Sequence, residues 1–346
     1  MRIINKFNSM KTRSKIIIII AMLIAMLCCN VVVFAQTIAN NTINKIEKDT
    51  SIDATKLSCV DTDGYLNIAL FGVDSRDMSK ESLDDANTDC IVVISYNPES
   101  GKVNLASVYR DTYMKIGDTG TYNKVNSAFA AGGAETAIKT LNQSMDLDIQ
   151  NYVMFNFKMV ADLVDGVGGI TVNVEDYEIE ELNKFTKKTA KVLKVKDYQL
   201  VEEPGEQTLD GVQAVAYGRI RKGVGDDFKR TDRMREVIKK CAEKAKGMNI
   251  VQLLQLTESL SPYMKTSLSD KDIVLLMQKV PNMTFGENIG WPYEKTTGMI
   301  NGASCVIPVD LEANTVKLHQ DLFSQEDYEA SQTVKDISNE TAAYAN

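Results

Sequence analysis

Short apolar runs, each bounded by polar or turn residues, mark the chain between residues 65 and 110. Runs of seven or eight residues lie at 66–73, 90–97 and 103–109. Their length and their flanking turn residues are typical of buried strands. A charged residue stands at one end of each run, namely Asp74, Asp89 and Arg110. Because sites in α/β sheets are assembled at strand ends, we expect these three side chains to share one site.

Helical spacing of apolar residues becomes common from residue 134 onward. It predicts helices over 134–145, 211–217, 251–260, 270–280 and 309–322, and one that begins near Thr231. Asp210 followed by Gln213 is a capping pattern for the helix over 211–217. Strands and helices alternate over residues 64–323, which predicts one α/β domain. Residues 324–346 are acidic and poor in apolar residues, so we expect them to be disordered.

The N-terminus has the pattern of a membrane anchor. Residues 1–15 carry five basic and no acidic residues, and residues 16–35 are apolar except for Asn30. Such a segment is long enough to span a bilayer as a helix, and its basic flank stays in the cytoplasm. We therefore predict a single-pass cell-membrane protein whose extracellular domain is joined to the anchor by a polar stalk over 36–63. A signal peptide cleaved near Ala35 is the alternative.

The charge balance argues against general nucleic-acid binding. The formal charge is −8, and five of the cations lie in residues 1–15, so the exported remainder carries −13. An acidic surface repels the phosphate backbone of nucleic acids. We expect no nucleic-acid partner.

Four cysteines lie outside the apolar N-terminal segment, and their spacing matches no zinc motif. Cys90 falls in a predicted buried strand and Cys241 on the apolar stripe of a predicted helix. If one disulfide forms, we expect it between Cys59 and Cys305.

A basic stretch contrasts with the acidic chain. Residues 219–235 contain seven basic and three acidic residues. Most charge runs form a solvated surface, but the spacing here divides the stretch. Arg219 and Arg221 leave an extended chain on one face, and Arg230 lies one turn before Met234 on an apolar helical stripe. These three arginines are predicted to converge on one site.

The other two arginines of this stretch are assigned differently. Arg235 points away from the apolar stripe, so we expect it to face solvent. For Arg233 we expect a pairing with Asp227 or with another nearby acid.

Two carboxylates and several cations at strand ends suit phosphoryl transfer. Asp74 and Asp89 offer the oxygen ligands that Mg²⁺ prefers, with Mn²⁺ as the alternative ion. Arg110, Lys124 and the three converging arginines suit the charge of a pyrophosphate and of its transition state. A histidine-dependent or serine hydrolase is not supported. The only histidine, His319, falls on a predicted surface helix, and the chain has no GxSxG motif.

Six segments form a combination of motifs along residues 65–240. They are FGVDSR (71–76), TDCIVV (88–93), SVYRDTY (107–113), NKVNSAFAAGG (123–133), DGVGGITVNV (165–174) and the segment 205–238. Each is weak alone, but together and in this order they resemble the LytR-CpsA-Psr family of cell-wall glycopolymer ligases. The resemblance implies a single α/β domain with a central mixed β-sheet flanked by helices, preceded by one transmembrane helix.

The resemblance also implies an activity outside the membrane of a Gram-positive type of envelope. Such enzymes transfer a glycopolymer from a polyprenyl-pyrophosphate carrier to a peptidoglycan acceptor, typically at the 6-hydroxyl of muramic acid. It associates Asp74 and Asp89 with Mg²⁺ and assigns catalysis to Arg110 and Asp89. It assigns the pyrophosphate to four cations, which are Arg219, Arg221, Arg230 and Lys124. The proton acceptor stays open between Asp89 and Asp111.

A polyprenyl chain also needs an apolar tunnel. The candidates for its walls are Phe155, Phe157, Val160, Leu163 and Val164. The alternative is that these residues belong to the hydrophobic core.

Two departures from the family's motifs keep other functions in view. Tyr109 stands where the family usually has Pro, and Met234 where it often has Gln. The alternatives are a non-catalytic regulatory protein that binds the glycolipid, and a pyrophosphatase that acts on the same lipid. The motifs do not distinguish wall teichoic acid, capsule and other polysaccharides as the polymer.

Overall fold

The structure is a computed structural model and describes residues 45–73, 87–221 and 226–345. The strands within these ranges are β1 (Glu47–Lys48), β2 (Leu66–Val73), β3 (Thr88–Tyr96), β4 (Lys102–Val108), β5 (Tyr113–Lys115), β6 (Tyr122–Lys124), β7 (Ile149–Asn156), β8 (Ile170–Val174), β9 (Gly205–Leu209), β10 (Met264–Thr266), β11 (Thr284–Trp291), β12 (Lys295–Ile300) and β13 (Ala303–Pro308). The α-helices are α1 (Ala128–Met145), α2 (Phe157–Gly166), α3 (Ile179–Leu193), α4 (Gly211–Tyr217), α5 (Asp226–Ala245), α6 (Ile250–Leu260), α7 (Asp270–Lys279), α8 (Leu311–Phe323) and α9 (Gln332–Ala345).

Seven strands form a central mixed sheet in the order β1-β10-β7-β2-β3-β4-β11. β2 pairs parallel with β7 and antiparallel with β3, while β4 pairs antiparallel with β3 and parallel with β11. The three predicted apolar runs are thus the neighbouring strands β2, β3 and β4. Helices pack against the sheet, which confirms the predicted α/β fold with a central mixed sheet.

Both faces of the sheet are buried, and successive residues of β3 point to opposite faces. Ile91 and Val93 belong to the core cluster that also contains residues of α1, α8 and α9. Cys90 and Val92 belong to the cluster on the other face, against which residues of α5 pack. The continuous apolar character of β3 follows from this burial on two sides.

The sequence located most helices closely. The helix over 211–217 is capped by Asp210, whose side chain accepts from the backbone N–H of Gln213, as predicted. α1 is interrupted at Gly132 and Gly133, so regular helix resumes at the predicted start, Ala134. Gly133 has a φ of 69°, which glycine adopts without the steric cost that other residues incur.

The prediction of a disordered tail is wrong for residues 332–345, which form α9. Val334 and Ile337 of this helix are buried in the core cluster that contains α1 and α8. Apolar residues three and four apart make a narrow stripe, so a helix with low overall hydrophobicity still buries one face.

The predicted surface position of His319 is also wrong. Its side chain is fully buried in α8, where the ring stacks on Tyr328 at 3.6 Å. Nε2 lies 3.1 Å from the carbonyl oxygen of Met145, and Nδ1 lies 2.7 Å from Gln325 Oε1. His319 therefore links α8 to the end of α1 and to the segment before α9, far from the residues predicted to form the site.

The predicted stalk over 36–63 is only partly described. Residues 45–63 pack on the domain, since Leu57 is fully buried and β1 pairs with β10. The predicted anchor over 16–35 lies outside the described residues. Across the ranges that are described, none of the helices combines the length and the apolar character that a membrane crossing requires.

The expected disulfide is not formed. Cys59 is exposed, Cys305 is buried, and both are free thiols, as are Cys90 and Cys241. Cys305 lies on β13 beside Ile307, whereas the Cys59 sulfur approaches the carbonyl oxygen of Ile149 on β7. The two sulfurs therefore belong to different parts of the fold.

Candidate functional site

Two of the predicted strand-end groups meet at one edge of the sheet. Asp89 is at the start of β3 and Arg110 follows the end of β4. Because these strands are antiparallel, with Ile91 opposite Val108, the start of one lies beside the end of the other. Arg110 Nη1 donates a hydrogen bond to Asp89 Oδ1. The third predicted group, Asp74, lies outside the described residues.

Further carboxylates surround the Arg110 guanidinium group. Its Nε is 3.4 Å from Asp227 Oδ2 and 3.7 Å from Asp111 Oδ2. Burial lowers the pKa of Arg110, but Asp89, Asp227 and Asp111 outweigh it, and the net pKa lies above the ordinary value. Arg110 is thus a fixed cation at the centre of three acids.

Lys124 extends this network at its outer side. Its Nζ is 3.1 Å from Asp111 Oδ1, so Asp111 is shared between Lys124 and Arg110. Asp111 is one of the two predicted proton acceptors, and both of its described partners are cations.

Arg230 is the predicted arginine that is most deeply buried, with 3% of its surface exposed. Its Nη2 is 3.1 Å from Asp227 Oδ2 and 3.5 Å from the carbonyl oxygen of Asp89. Burial lowers the pKa of Arg230, Asp227 offsets this in part, and the charges of Arg110 and Arg221 lower it further, so the net pKa lies below the ordinary value. Two guanidinium groups share Asp227 here, and an anion that arrives beside them would relieve their repulsion.

Arg219 lies between two aromatic rings. Its guanidinium carbon is 4.8 Å from the centroid of Phe157 and 5.2 Å from that of Phe185. Nη1 donates to Thr189 Oγ1 at 3.1 Å. α2 and α3 therefore hold Arg219 in place, because Phe157 begins α2 while Phe185 and Thr189 belong to α3.

A cavity of about 440 Å³ collects the three predicted arginines. Its described walls are Asp89, Phe157, Phe185, Lys188, Lys191, Val192, Gly218, Arg219, Arg221, Arg230 and Met234. Arg219, Arg221 and Arg230 converge as the spacing predicted. Arg110 and Lys124 are not among these walls, and Arg110 reaches the cavity through Asp89.

The sequence reasoning missed the wall that α3 contributes. Residues 175–203 are charged and rich in lysine, a composition that is also typical of a solvated surface. Phe185, Lys188 and Lys191 are three residues apart and so lie on one helical face. That spacing was the available signal, but it does not show what the face is turned towards.

A narrow apolar crevice of about 50 Å³ continues from the cavity. The two share five wall residues, which are Asp89, Phe157, Gly218, Arg219 and Met234. Of the predicted tunnel residues, Phe155, Phe157 and Val160 line the crevice. Leu163 and Val164 pack instead against the hydrophobic cluster formed by β8, β9 and α4.

Mg²⁺ was tested against the donors that the structure describes. Among residues 45–73, 87–221 and 226–345, no group of three His, Cys, Asp or Glu side chains is placed to hold a metal ion. Asp89 supplies one carboxylate on the cavity wall, with one oxygen bonded to Arg110. Mg²⁺ in phosphate sites takes one or two carboxylates and completes its shell with phosphate oxygens and water. The described donors therefore fit such an ion only together with ligand oxygens.

The two remaining arginines of the basic stretch are structural. Arg235 was expected to face solvent but is buried, and its Nη1 donates to the carbonyl oxygen of Ile289 at 2.8 Å. Arg233 pairs with Glu178, and both side chains are almost fully buried. The acid that Arg233 contacts is thus 55 residues away in the sequence rather than within the stretch.

Comparison with known proteins identifies relatives along most of the chain. The LytR_cpsA_psr family model matches residues 29–320. Biofilm regulatory protein A of Streptococcus mutans is 31% identical over 271 residues, which are 75% of this chain and 64% of that protein. The polyisoprenyl-teichoic acid–peptidoglycan teichoic acid transferase TagT of Bacillus subtilis is 29% identical over 66% of this chain and 69% of its own length. The alignment thus spans about two thirds of each relative.

A solved structure shares the fold. It is the LytR-CPS2A-psr family protein YwtF (TagT) with a bound octaprenyl pyrophosphate lipid. Its TM-score is 0.56 at 24% identity, and the match covers 76% of this chain and 92% of that one.

Proposed function

Because the chain belongs to the LytR-CpsA-Psr family, we propose that it transfers a glycopolymer from a polyprenyl-pyrophosphate carrier to peptidoglycan. One observation carries the proposal: a cationic cavity and an apolar crevice share a wall. A pyrophosphate requires the first and a polyprenyl chain the second. The related TagT of B. subtilis is named as a transferase of this kind, and a TagT structure holds octaprenyl pyrophosphate.

The chain's own residues would bind and orient the donor. Arg219, Arg221 and Arg230 take the pyrophosphate oxygens, and the polyprenyl chain enters the crevice. A volume of about 50 Å³ is too small for several isoprene units, so lipid entry requires that side chains at the shared wall move. Phe157 and Met234 stand at that wall.

The transfer step exchanges one phosphorus–oxygen bond for another. The acceptor hydroxyl oxygen attacks the phosphorus nearest the glycan, and the bond from that phosphorus to the bridging oxygen breaks. Polyprenyl phosphate leaves with its new charge beside Arg219 and Arg230. The hydroxyl proton passes to Asp89, the one carboxylate among the described walls of the cavity and the crevice. Arg110 holds that carboxylate in position.

We propose Mg²⁺ as the cofactor, with Mn²⁺ as the alternative, held by Asp89 and Asp74. When bound, the ion would neutralise negative charge on the pyrophosphate. We also propose that residues 16–35 anchor the protein in the cell membrane, with residues 1–15 cytoplasmic and the α/β domain outside.

The test is transfer of a polyprenyl-pyrophosphate-linked glycan to peptidoglycan by the purified protein. Asp89→Asn and Arg110→Ala should each lower the transfer rate by about 100-fold or more. Lys187→Ala, on the exposed side of α3, is the matched control and should retain the rate. Native rates in both Asp89→Asn and Arg110→Ala would sink the site assignment.

Product analysis separates the competing functions. Glycan linked to peptidoglycan supports the transferase, whereas release of glycan phosphate irrespective of peptidoglycan indicates a pyrophosphatase. Donor binding without any product, at every acceptor and Mg²⁺ concentration, indicates a regulatory lipid-binding protein.

A further inference from the structure

The cavity has two chemically distinct ends. One end is the wall shared with the apolar crevice, where Asp89, Phe157 and Met234 lie. Lys188 and Lys191 line the cavity but not the crevice. If the polyprenyl chain enters the crevice, the pyrophosphate lies at the shared wall. The glycan must then extend towards the lysines, because it is attached to the opposite side of the pyrophosphate.

The lysines exceed what a pyrophosphate needs. Five cations line the cavity, and its one described carboxylate, Asp89, is already bonded to Arg110 outside the wall. Each diester-type phosphate carries one negative charge, so a pyrophosphate linked at both ends carries about two. Arg219, Arg221 and Arg230 are sufficient for that charge. Lys188 and Lys191 therefore add positive charge that the pyrophosphate does not neutralise.

The two lysines are available to a ligand. Both are exposed, and within the described residues neither forms an ion pair, whereas Lys184 on the same helix pairs with Glu181. Lys188 Nζ lies 5.3 Å from the centroid of the Phe185 ring, which forms part of the cavity wall. A spacing of three residues places Lys188 and Lys191 on one face of α3.

We propose that Lys188 and Lys191 bind an anionic group, a phosphate or a carboxylate, on the sugars of the donor glycan nearest the pyrophosphate. The enzyme would thereby prefer lipid-linked glycans that are negatively charged close to the lipid over neutral ones. This inference rests on the proposed function, since it takes the donor to be a polyprenyl-pyrophosphate-linked glycan. It assigns the lysines to specificity and leaves the pyrophosphate to the arginines.

The test compares three probes in a direct binding assay with the full chain in detergent. They are octaprenyl pyrophosphate, octaprenyl pyrophosphate linked to a neutral disaccharide, and the same disaccharide bearing one phosphate. The native protein should bind the phosphorylated disaccharide about three- to tenfold more tightly than the neutral one, and added salt should reduce this preference. In Lys188→Gln/Lys191→Gln the preference should disappear, while affinity for the other two probes stays within about twofold.

The matched control is Lys187→Gln/Lys196→Gln, which removes the same charge from exposed positions outside the cavity wall. It should keep the native preference. The inference is overturned if the native protein does not prefer the phosphorylated probe, if Lys188→Gln/Lys191→Gln keeps that preference, or if it loses all three probes equally. Failure of the native protein to bind any probe would instead overturn the proposed function itself.

Discussion

Residues of one type, in one short stretch, have different roles in this protein. Arg230 lies on the cavity wall, whereas Arg233 and Arg235, one turn further along α5, stabilise the fold. Helical spacing predicted the inward direction of Arg230, because that direction depends on neighbouring residues alone. The partners of Arg233 and Arg235 come from Glu178 and from β11, which the stretch itself does not contain.

Arg233→Ala should lower the free energy of unfolding by about 3–5 kcal/mol, because it leaves the buried Glu178 carboxylate without its partner. Chemical denaturation of the purified domain measures the change. The double variant Arg233→Met/Glu178→Leu should recover most of the loss, since it removes both charges together. An unchanged denaturation midpoint in Arg233→Ala would show that the pair does not stabilise the fold.

Two helices show why composition misleads for amphipathic elements. α3 is rich in lysine, yet one face buries Leu182 and Thr186 while Lys188 and Lys191 line the cavity. α9 lies in an acidic segment, yet it buries Val334 and Ile337. In both cases the average over a segment hides a one-sided distribution, and the periodicity is the better guide.

Deletion of residues 332–346 should lower the free energy of unfolding by about 3–6 kcal/mol, since it exposes the core that Val334 and Ile337 cover. The measurement is urea unfolding followed by circular dichroism. Lys335→Ala, on the outer side of the same helix, should change stability by less than about 0.5 kcal/mol. Equal midpoints for the deleted and the full chain would contradict the structural role of α9.

The whole molecule is organised by one mixed sheet with cores on both faces. One edge of the sheet gathers Asp89 and Arg110 for the site, and α5 closes over them with Asp227 and Arg230. The opposite core contains His319, the single histidine of the chain. Its burial makes stability, rather than the reaction, the property that it couples to pH.

Burial lowers the pKa of His319, and its contacts with Gln325 and the Met145 carbonyl offset this only in part. The unfolded chain, with an ordinary histidine pKa of about 6.5, therefore binds the proton more tightly than the folded chain. Stability should be complete above that value and should decline as the pH falls through the folded-state pKa.

Unfolding free energies measured between about pH 7.5 and 5.5 test this expectation, and His319→Gln should flatten the profile in that range. Carboxylates titrate mainly below it, so the histidine is the group under test. A native profile that rises towards low pH would contradict the assignment.

The order of strands and helices, the single α/β domain, the cap of α4 and the convergence of Arg219, Arg221 and Arg230 all follow from local sequence. Each depends on periodicity or on capping, which involve residues a few positions apart. The motif order, which lies wholly in the sequence, indicated the family that the family model then matched.

Other features depended on contacts between distant parts of the chain. These are the α3 wall, the division of the cavity into a cationic and an apolar part, the burial of Arg235 and His319, and the absence of a bond between Cys59 and Cys305. The pairing of β3 with β4 brings Asp89 to Arg110, and the packing of α5 on that edge adds Asp227. Partners separated by tens to hundreds of residues leave no local pattern, so only the packing of the sheet and its helices decides them.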